Sequence, residues 1–465
     1  MGREHRWDRI VIIGGSISGL LTARVLADHA ERLTLIDRDH LPDEPRPRAG
    51  VPHGRHIHVV LAAGQQALAQ LLPGVLEELA SLGVPAVGLP RDIIQLNRGR
   101  WVRRWEDSRS FLTGTRALVE HVVRARVLAD QRIEALDSLE AVGLVGDQGR
   151  VRGVRLRPRG TPHGEEVLTA DLVVDASGRS SRTSQWLTSI GARPPAEERI
   201  ETGLAYATRQ YRASVDPAVA EYLGIYLLPR PGAGRGAVVM PIESHGVYLV
   251  TLTGLRGDEP PTDPEGFEEF TARLEHPIVH EWLGAAQADG PPLGYRRAAN
   301  IRRRYDRLPA PEGLLVVGDA ATSINPVYGQ GISVAALGAQ ALARALAGGR
   351  PTARRLQRLV IEAGEQAWQI STGVDKNLPT ATGNAVRSGA LDRVAGWYLG
   401  RVQDHAATDM VVGNAFRDVV HLVAPVSSLL APRVARIVLF RQPAPGPADP
   451  PLRPEPPPVT AGPAG

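Results

Sequence analysis

The stretch that decides the fold is RIVIIGGSISGLLTARVLADHAERLTLID, residues 9–37. Arg9 to Ile13 is an apolar run that reads as a buried strand. Gly14-Gly15-Ser16-Ile17-Ser18-Gly19 follows, then a helical pattern over Leu20 to His29. A second apolar run, Leu33 to Ile36, ends in Asp37. Strand, glycine-rich turn, helix, strand and terminal acid form a βαβ dinucleotide fingerprint. Gly14 permits the tight turn, Gly19 lets helix and strand approach, and the amides around Gly15 and Ser18 open a helix N-terminus suited to pyrophosphate. Asp37, 23 residues after Gly14, is placed for ribose hydroxyls. Ser16 stands where the second glycine of the pattern belongs. It is small enough for a phosphate to approach, and its hydroxyl offers a donor.

A second stretch answers the first. Residues 314–336, LLVVGDAATSINPVYGQGISVAA, begin as a buried strand (Leu314 to Val317) that ends in Gly318-Asp319. The loop Asn325-Pro326-Val327-Tyr328 leads to Gly329-Gln330-Gly331 and a helix of small and apolar residues reaching about Leu346, where Gly348-Gly349 stops it. An acid at a strand end accepts from hydroxyls, and free amides at a helix start meet an anionic or carbonyl edge. Between the two, the strand Asp171 to Val174 runs into Asp175-Ala176-Ser177-Gly178, a further return of the chain to the same place.

Outward from these anchors, Val51-Pro52-His53-Gly54-Arg55-His56-Ile57-His58 is a polar loop before a helix expected over Val59 to Leu72. Its three histidines lack the acid or cysteine that would complete a metal site, and no metal is expected. Asp92 to Trp105 alternates and turns at Asn97-Arg98-Gly99, a hairpin. Thr115 to Leu128 is a helix with Arg116 in its first turn. Residues 201–253 change to strands, Val247 to Leu252 joining Ala237 to Ile242 through Glu243-Ser244-His245-Gly246. Arg302-Arg303-Arg304 reads as a solvated turn, and 351–370 and 391–438 are mostly helical.

The 465 residues allow two or three domain-sized units, and 43% apolar content suffices for a core. There is no cysteine, hence no disulfide and no thiolate chemistry. Lys376 is the single lysine, and the net charge is +4. No basic run is interleaved with aromatics, which argues against a nucleic-acid partner. No apolar run reaches the ~20 residues of a membrane span, and nothing at the N-terminus resembles a signal peptide. The expectation is a soluble cytoplasmic protein without stable membrane insertion.

These motifs resemble those of the FAD-dependent monooxygenases of the para-hydroxybenzoate hydroxylase fold, over about residues 8–345. VPHGRHIH, SINPVYGQGIS and the PPLRP ending are similar to the bacterial flavin epoxidases of polyether biosynthesis, the lasalocid and monensin epoxidase type. The resemblance implies an α/β fold: a Rossmann-like FAD-binding domain, an antiparallel-sheet substrate domain and a helical C-terminal region. The corresponding ranges are 1–90, 110–195 and 300–345 for the FAD domain, 91–109 and 196–299 for the sheet, 346–442 for the helices, and 443–465 for a disordered Pro-rich tail. It also implies that Asp37 binds the adenosine ribose, Arg38 covers the adenine and Ala141 contacts it through backbone. Arg116 reaches the ribityl or pyrophosphate, Gly178 marks the middle contact and Asp319 binds the ribityl hydroxyls. Gly329, Gln330, Gly331 and Ile332 set amides at the flavin's pyrimidine edge, and Pro326, Val327 and Tyr328 face the ring. Arg55 and one of these histidines line the flavin or stabilise its anion, or the loop is simply a polar connection.

In that family reduced flavin and O2 form a C4a-hydroperoxide whose distal oxygen is transferred. The implied reaction is epoxidation of an alkene in an apolar polyketide or other unsaturated intermediate. Aromatic hydroxylation, another flavin oxidoreduction, or a non-redox flavin-binding cyclase are the alternatives. Ser177-Gly178 stands where related hydroxylases carry Asp-Gly, a pair linked to holding the nicotinamide. Electrons are therefore expected from NAD(P)H directly or through a partner flavin reductase.

Overall fold

A computed structural model describes residues 7–213, 221–230, 232–296, 298–308, 311–349, 351–386 and 389–455. Its centre is a five-stranded parallel sheet in the order Leu314–Val316, Leu172–Asp175, Trp7–Ile13, Ala30–Ile36, Ile133–Leu136. These strands are apolar along both faces because both faces are covered. One face packs on the helices Ile17–Ala27, Arg116–Leu128 and Gly331–Ala347 through Ile10, Ile12, Leu20, Val123 and Ala336. The other packs on an antiparallel layer, Leu139–Gly146, Val151–Pro158 and Glu166–Thr169, through Val11, Ile13, Val154 and Val173.

A seven-stranded sheet lies beyond, in the order Ala286–Tyr295, Ala205–Ala213, Val247–Gly254, Arg235–Pro241, Gly224–Leu227, Ile93–Asn97, Arg100–Trp101. Its pairs are antiparallel except that of Gly224–Leu227 with Ile93–Asn97. Strand alternation sorts its side chains. Ala207, Val250 and Leu252 face the helices Pro264–Thr271 and Ile278–Gly284. Tyr206, Thr208 and Thr251, the residues between, are left for the opposite face.

Helix Glu365–Asp375 and the helices Ala390–Ala406, Met410–Val420 and Pro432–Phe440 complete the chain, the last three around a core of Val402, Val412, Val434 and Val438. No described helix is long and apolar enough to cross a membrane.

Four sequence expectations change. The first helix begins at Ile17, not Leu20, since Gly19 fits inside it. Val59 and Val60 belong to a short strand, His58–Val60, and the helix starts at Ala62. Arg302 and Arg303 are not a solvated turn: they are buried in the strand Asn300–Arg303, where Arg302 pairs with Glu198 (2.7 Å) and Glu365 (2.5 Å) and stacks on Trp368. Residues 443–455 of the tail are not loose either. The buried Arg104 donates to the Pro451 and Leu452 carbonyls, and Glu455 N–H donates to Arg104 O at 2.6 Å. Residues 456–465 lie outside the described residues.

Candidate active site

The three glycine-bearing turns meet. Gly14 has φ +106°, and a Cβ there would stand 2.4 Å from the Ala176 carbonyl oxygen. A Cβ on Gly19 would stand 1.8 Å from Gly14 O, and one on Gly318 would stand 2.2 Å from Ser18 Oγ. Residues 14–19 and 175–178 are therefore packed backbone to backbone, residue 318 lies against the Ser18 side chain, and only glycine allows it.

Around the first turn lies a buried ionic network. Asp37 accepts from the N–H groups of Gly15 and Asp39, both at 2.8 Å, and pairs with Arg48 at 3.0 Å. Arg48 donates to Glu120 Oε1 at 2.8 and 2.6 Å. Ser16 Oγ donates to Glu120 at 2.5 Å and accepts from Arg116 at 2.8 Å. The serine hydroxyl thus links Glu120 to Arg116 at the turn. Burial pushes the Glu120 carboxyl up, but Arg116, Arg48 and the Ser16 hydroxyl outweigh it and leave it below the usual carboxylate range. Arg48 and Glu120 were not found from sequence. The one signal was Glu120 at i+4 from Arg116, the spacing of a helical ion pair, here 3.4 Å. Asp37 Oδ1 accepts one bond from protein and has capacity for another. Arg38 is exposed, and Ala141 lies half-buried on the strand Leu139–Gly146.

The middle turn is organised by Asp175, wholly buried, which accepts from Ser177 N–H and from the hydroxyls of Ser177, Ser181 and Thr183. Gly178 has φ +80° with open space around it.

The third turn carries the expected acid. Asp319 receives no hydrogen bond from any described residue, yet it lies in the field of Arg179, Arg116 and Arg303. Burial pushes its carboxyl up, and those three guanidiniums draw it back. Gly329 has φ +64° and turns the chain into helix Gly331–Ala347, whose N-cap is Gln330. The first-turn amides of Gly331 and Ile332 have no intrahelical acceptor. A Cβ on Gly331 would meet nothing within 4 Å, and the buried Gln330 Oε1 has no hydrogen-bond donor. A free carboxylate, an orphaned amide oxygen and an open helix start are what a hydroxylated, ring-bearing dinucleotide satisfies, so the residues fit FAD.

Pro326–Tyr328 forms one short turn under this start. The Tyr328 hydroxyl donates to Asp375 at 2.5 Å, and Asp375 also accepts from Asn300 Nδ2 (2.6 Å) and Asn325 Nδ2 (3.0 Å). The Ser371 hydroxyl and the Asn325 N–H donate to Asn300 Oδ1. Burial raises both the Tyr328 phenol and the Asp375 carboxyl. Val327 packs with Leu204, Tyr206, Leu255, Ala298 and Tyr295, which joins the loop to the sheet.

The VPHGRHIH segment lies at the same junction, but Arg55 is exposed and makes no hydrogen bond to a described residue. Its histidines make the inner contacts. His56 Nδ1 lies 2.8 Å from Thr208 Oγ1, which is 2.6 Å from Thr251 Oγ1. The His56 ring stands edge-on to Tyr206 with centroids 4.7 Å apart, and His53 lies 6.2 Å from Tyr295. Burial and the nearby Arg116 lower His53 to about 4; burial and Arg55 do the same for His56. Both imidazoles are neutral at pH 7. Among the described residues no group of three His, Asp or Glu side chains is placed to hold a metal.

A flavin site of this build defines a class, and comparison gives it a family. Residues 8–371 match the family model described as FAD binding domain. The chain belongs to this FAD-binding family of flavin-dependent monooxygenases. It is 34% identical to Protein Rv3254 of Mycobacterium tuberculosis over 73% of each chain. It is 26% identical to the kynurenine 3-monooxygenase of Salinispora tropica over 71% of each. Its fold resembles that of p-nitrophenol 4-monooxygenase from Pseudomonas putida, with TM-score 0.64, 18% identity, and coverage of 90% of this chain and 99% of that one.

Proposed function

We propose that the chain is an FAD-dependent monooxygenase that transfers one oxygen atom to a carbon–carbon double bond of an apolar polyketide or similar unsaturated intermediate. Bound FAD supplies the activation of O2. In this reading Asp319 and the Gly329–Ile332 amides hold the ribityl chain and ring, and Val327 with Tyr206 and Tyr295 forms an apolar wall that excludes water.

The observation that carries the alkene over a phenol is the state of the pocket's titratable groups. His53 and His56 are lowered to about 4, and burial raises Tyr206. None of these groups is poised near neutrality to take a proton, which a phenol benefits from and an alkene does not need. A second reading, hydroxylation of an aromatic ring, is favoured by the names of two similar proteins, a kynurenine and a nitrophenol monooxygenase.

The test is incubation of the FAD-loaded protein with polyenes, phenols and labelled O2, using NADPH alone or NADPH with a separate flavin reductase. The expected product is an epoxide with one labelled oxygen. Label confined to phenols would transfer the assignment to the second reading. Turnover that survives with a flavin that cannot be reduced would make the protein a non-redox cyclase. The pair of electron sources separates direct reduction from a two-component system in the cytoplasm.

A further inference from the structure

Six of the nine large apolar side chains exposed among the described residues lie within 394–440, and only Leu82, Val167 and Leu452 lie elsewhere. Phe440 is 82% exposed, Leu430 63% and Trp397 56%. Hydrogen bonds draw them to one face. The Arg401 guanidinium lies 5.7 Å from the Trp397 ring centroid and donates to Val438 O (2.7 Å) and Arg441 O (2.6 Å). Trp397 therefore stands beside the end of helix Pro432–Phe440, which carries Leu439 and Phe440. The Tyr398 hydroxyl donates to Leu429 O at 2.7 Å and brings the turn with Leu430 to the same helix. Val394 lies one helical turn before Trp397 and shares its side.

Positive charge surrounds these side chains. Arg433, Arg436 and Phe440 are exposed and follow the three- and four-residue spacing of one helix stripe, while Val434, Ile437 and Val438 turn into the core. Arg393 and Arg441 are exposed nearby, and none of the four arginines pairs with a carboxylate among the described residues. The acids of these elements are engaged elsewhere: Asp392 with Lys376, Asp404 with Arg98, Asp418 with Arg109, and Asp409 as the cap of helix Met410–Val420. Residues 419–448 contain no acid. Two copies meeting here would press unpaired guanidiniums together, so the face suits an anionic partner. A partner protein would need a fitted pocket for each apolar side chain that protrudes singly, whereas a fluid interface needs none. Tryptophan and phenylalanine with arginines between them suit helices lying on a lipid headgroup layer.

We infer that the C-terminal helices dock reversibly on an anionic lipid surface. Trp397 and Phe440 enter the headgroup boundary, and Arg433, Arg436 and Arg441 meet lipid phosphates. No described helix is long and apolar enough to cross a membrane, and the contact is with the surface. The inference does not depend on the reaction at the flavin, and equilibrium binding tests it without turnover.

The experiment measures co-sedimentation of FAD-loaded full-length protein with vesicles of phosphatidylcholine alone, or with phosphatidylglycerol as about one lipid in three. Wild type is compared with Trp397→Ser/Phe440→Ser and with Arg433→Glu/Arg436→Glu. All four side chains are exposed, so the variants keep their melting temperature and FAD. Wild type is expected to bind the anionic vesicles, to be released by salt, and to bind pure phosphatidylcholine about tenfold more weakly or less. Each double variant is expected to lose about tenfold in affinity for the anionic vesicles. A blue shift of tryptophan fluorescence on vesicle addition should disappear in Trp397→Phe. A shift that persists there would put another face on the lipid and overturn the assignment. Wild-type affinity matched within about twofold by both double variants also overturns it. So does binding to soluble poly-glutamate as tight as to vesicles and unmoved by Trp397→Ser/Phe440→Ser, which would assign the face to an acidic protein. Dimerisation in place of vesicle binding, lost in that same variant, would seat a second copy there.

Discussion

At the scale of single residues, one buried carboxylate, Asp375, holds the site in shape from behind. Asp375 accepts from Tyr328, Asn300 and Asn325, each on a different part of the flavin loop or its neighbouring strand. Asp375→Ala leaves those donors without an acceptor, at ~1–3 kcal/mol each when they stay buried. The expected outcome is a melting temperature lowered by several degrees and FAD released on gel filtration. Tyr328→Phe, which removes one donor and leaves the acid two, costs about 1–2 kcal/mol and retains FAD. Histidines set the pH response. His53 and His56 sit near 4 in the fold against about 6.5 when unfolded, so between those values the unfolded chain binds more protons. Their contribution is complete above pH ~6.5 and lost as pH falls toward ~4. Melting temperature measured across that window should drop on the acid side, and His56→Gln should flatten the drop. An equal drop in that variant would place its origin elsewhere. None of these partners was legible in sequence, because Asp375 and Tyr328, or Arg48 and Glu120, are joined only by tertiary packing.

Elements were easier to read where backbone demands fix the residue. The βαβ unit was legible because a Cβ at 14 or 19 would stand 2.4 or 1.8 Å from a backbone oxygen, so glycine is required there. Gly19→Ala should therefore abolish FAD binding by pushing the first helix off its strand. Gly331→Ala, at a helix start with open space around it, should fold with an unchanged melting temperature and alter only FAD affinity. Flavin fluorescence on release separates the two. Helix and strand were confused at His58–Val60, where the apolar run Val59-Val60-Leu61 continues into the helix and hides the break. The strand Asn300–Arg303 was missed for the opposite reason. Its arginines look solvated until Glu197, Glu198 and Glu365, from two other elements, are seen to surround them.

For the whole molecule, the legible part was the convergence of three distant turns on one ligand, since each carries its own local signature. The illegible part was what locks the periphery. Buried Arg104 grips the carbonyls of Arg91, Glu221, Pro451 and Leu452, which ties the C-terminal tail across the edge of the large sheet. Removal of residues 443–465 should lower the melting temperature by several degrees and expose Arg104, measurable as faster amide exchange in Ile93–Asn97. FAD affinity should be unchanged, because the cofactor contacts lie elsewhere; coincident loss of FAD would show that the tail reaches the site. The parallel sheet has one further consequence, for the ribosome. Its edge strand Leu314–Val316 is synthesised long after Leu172–Asp175, the neighbour it must cover. At ~5–20 residues per second, the nascent chain holds a bare sheet edge and an unfinished nucleotide cradle for on the order of ten seconds. Cofactor loading must wait for that strand, and a message truncated within this interval yields an apoprotein fragment with an open edge, prone to pair with its own kind.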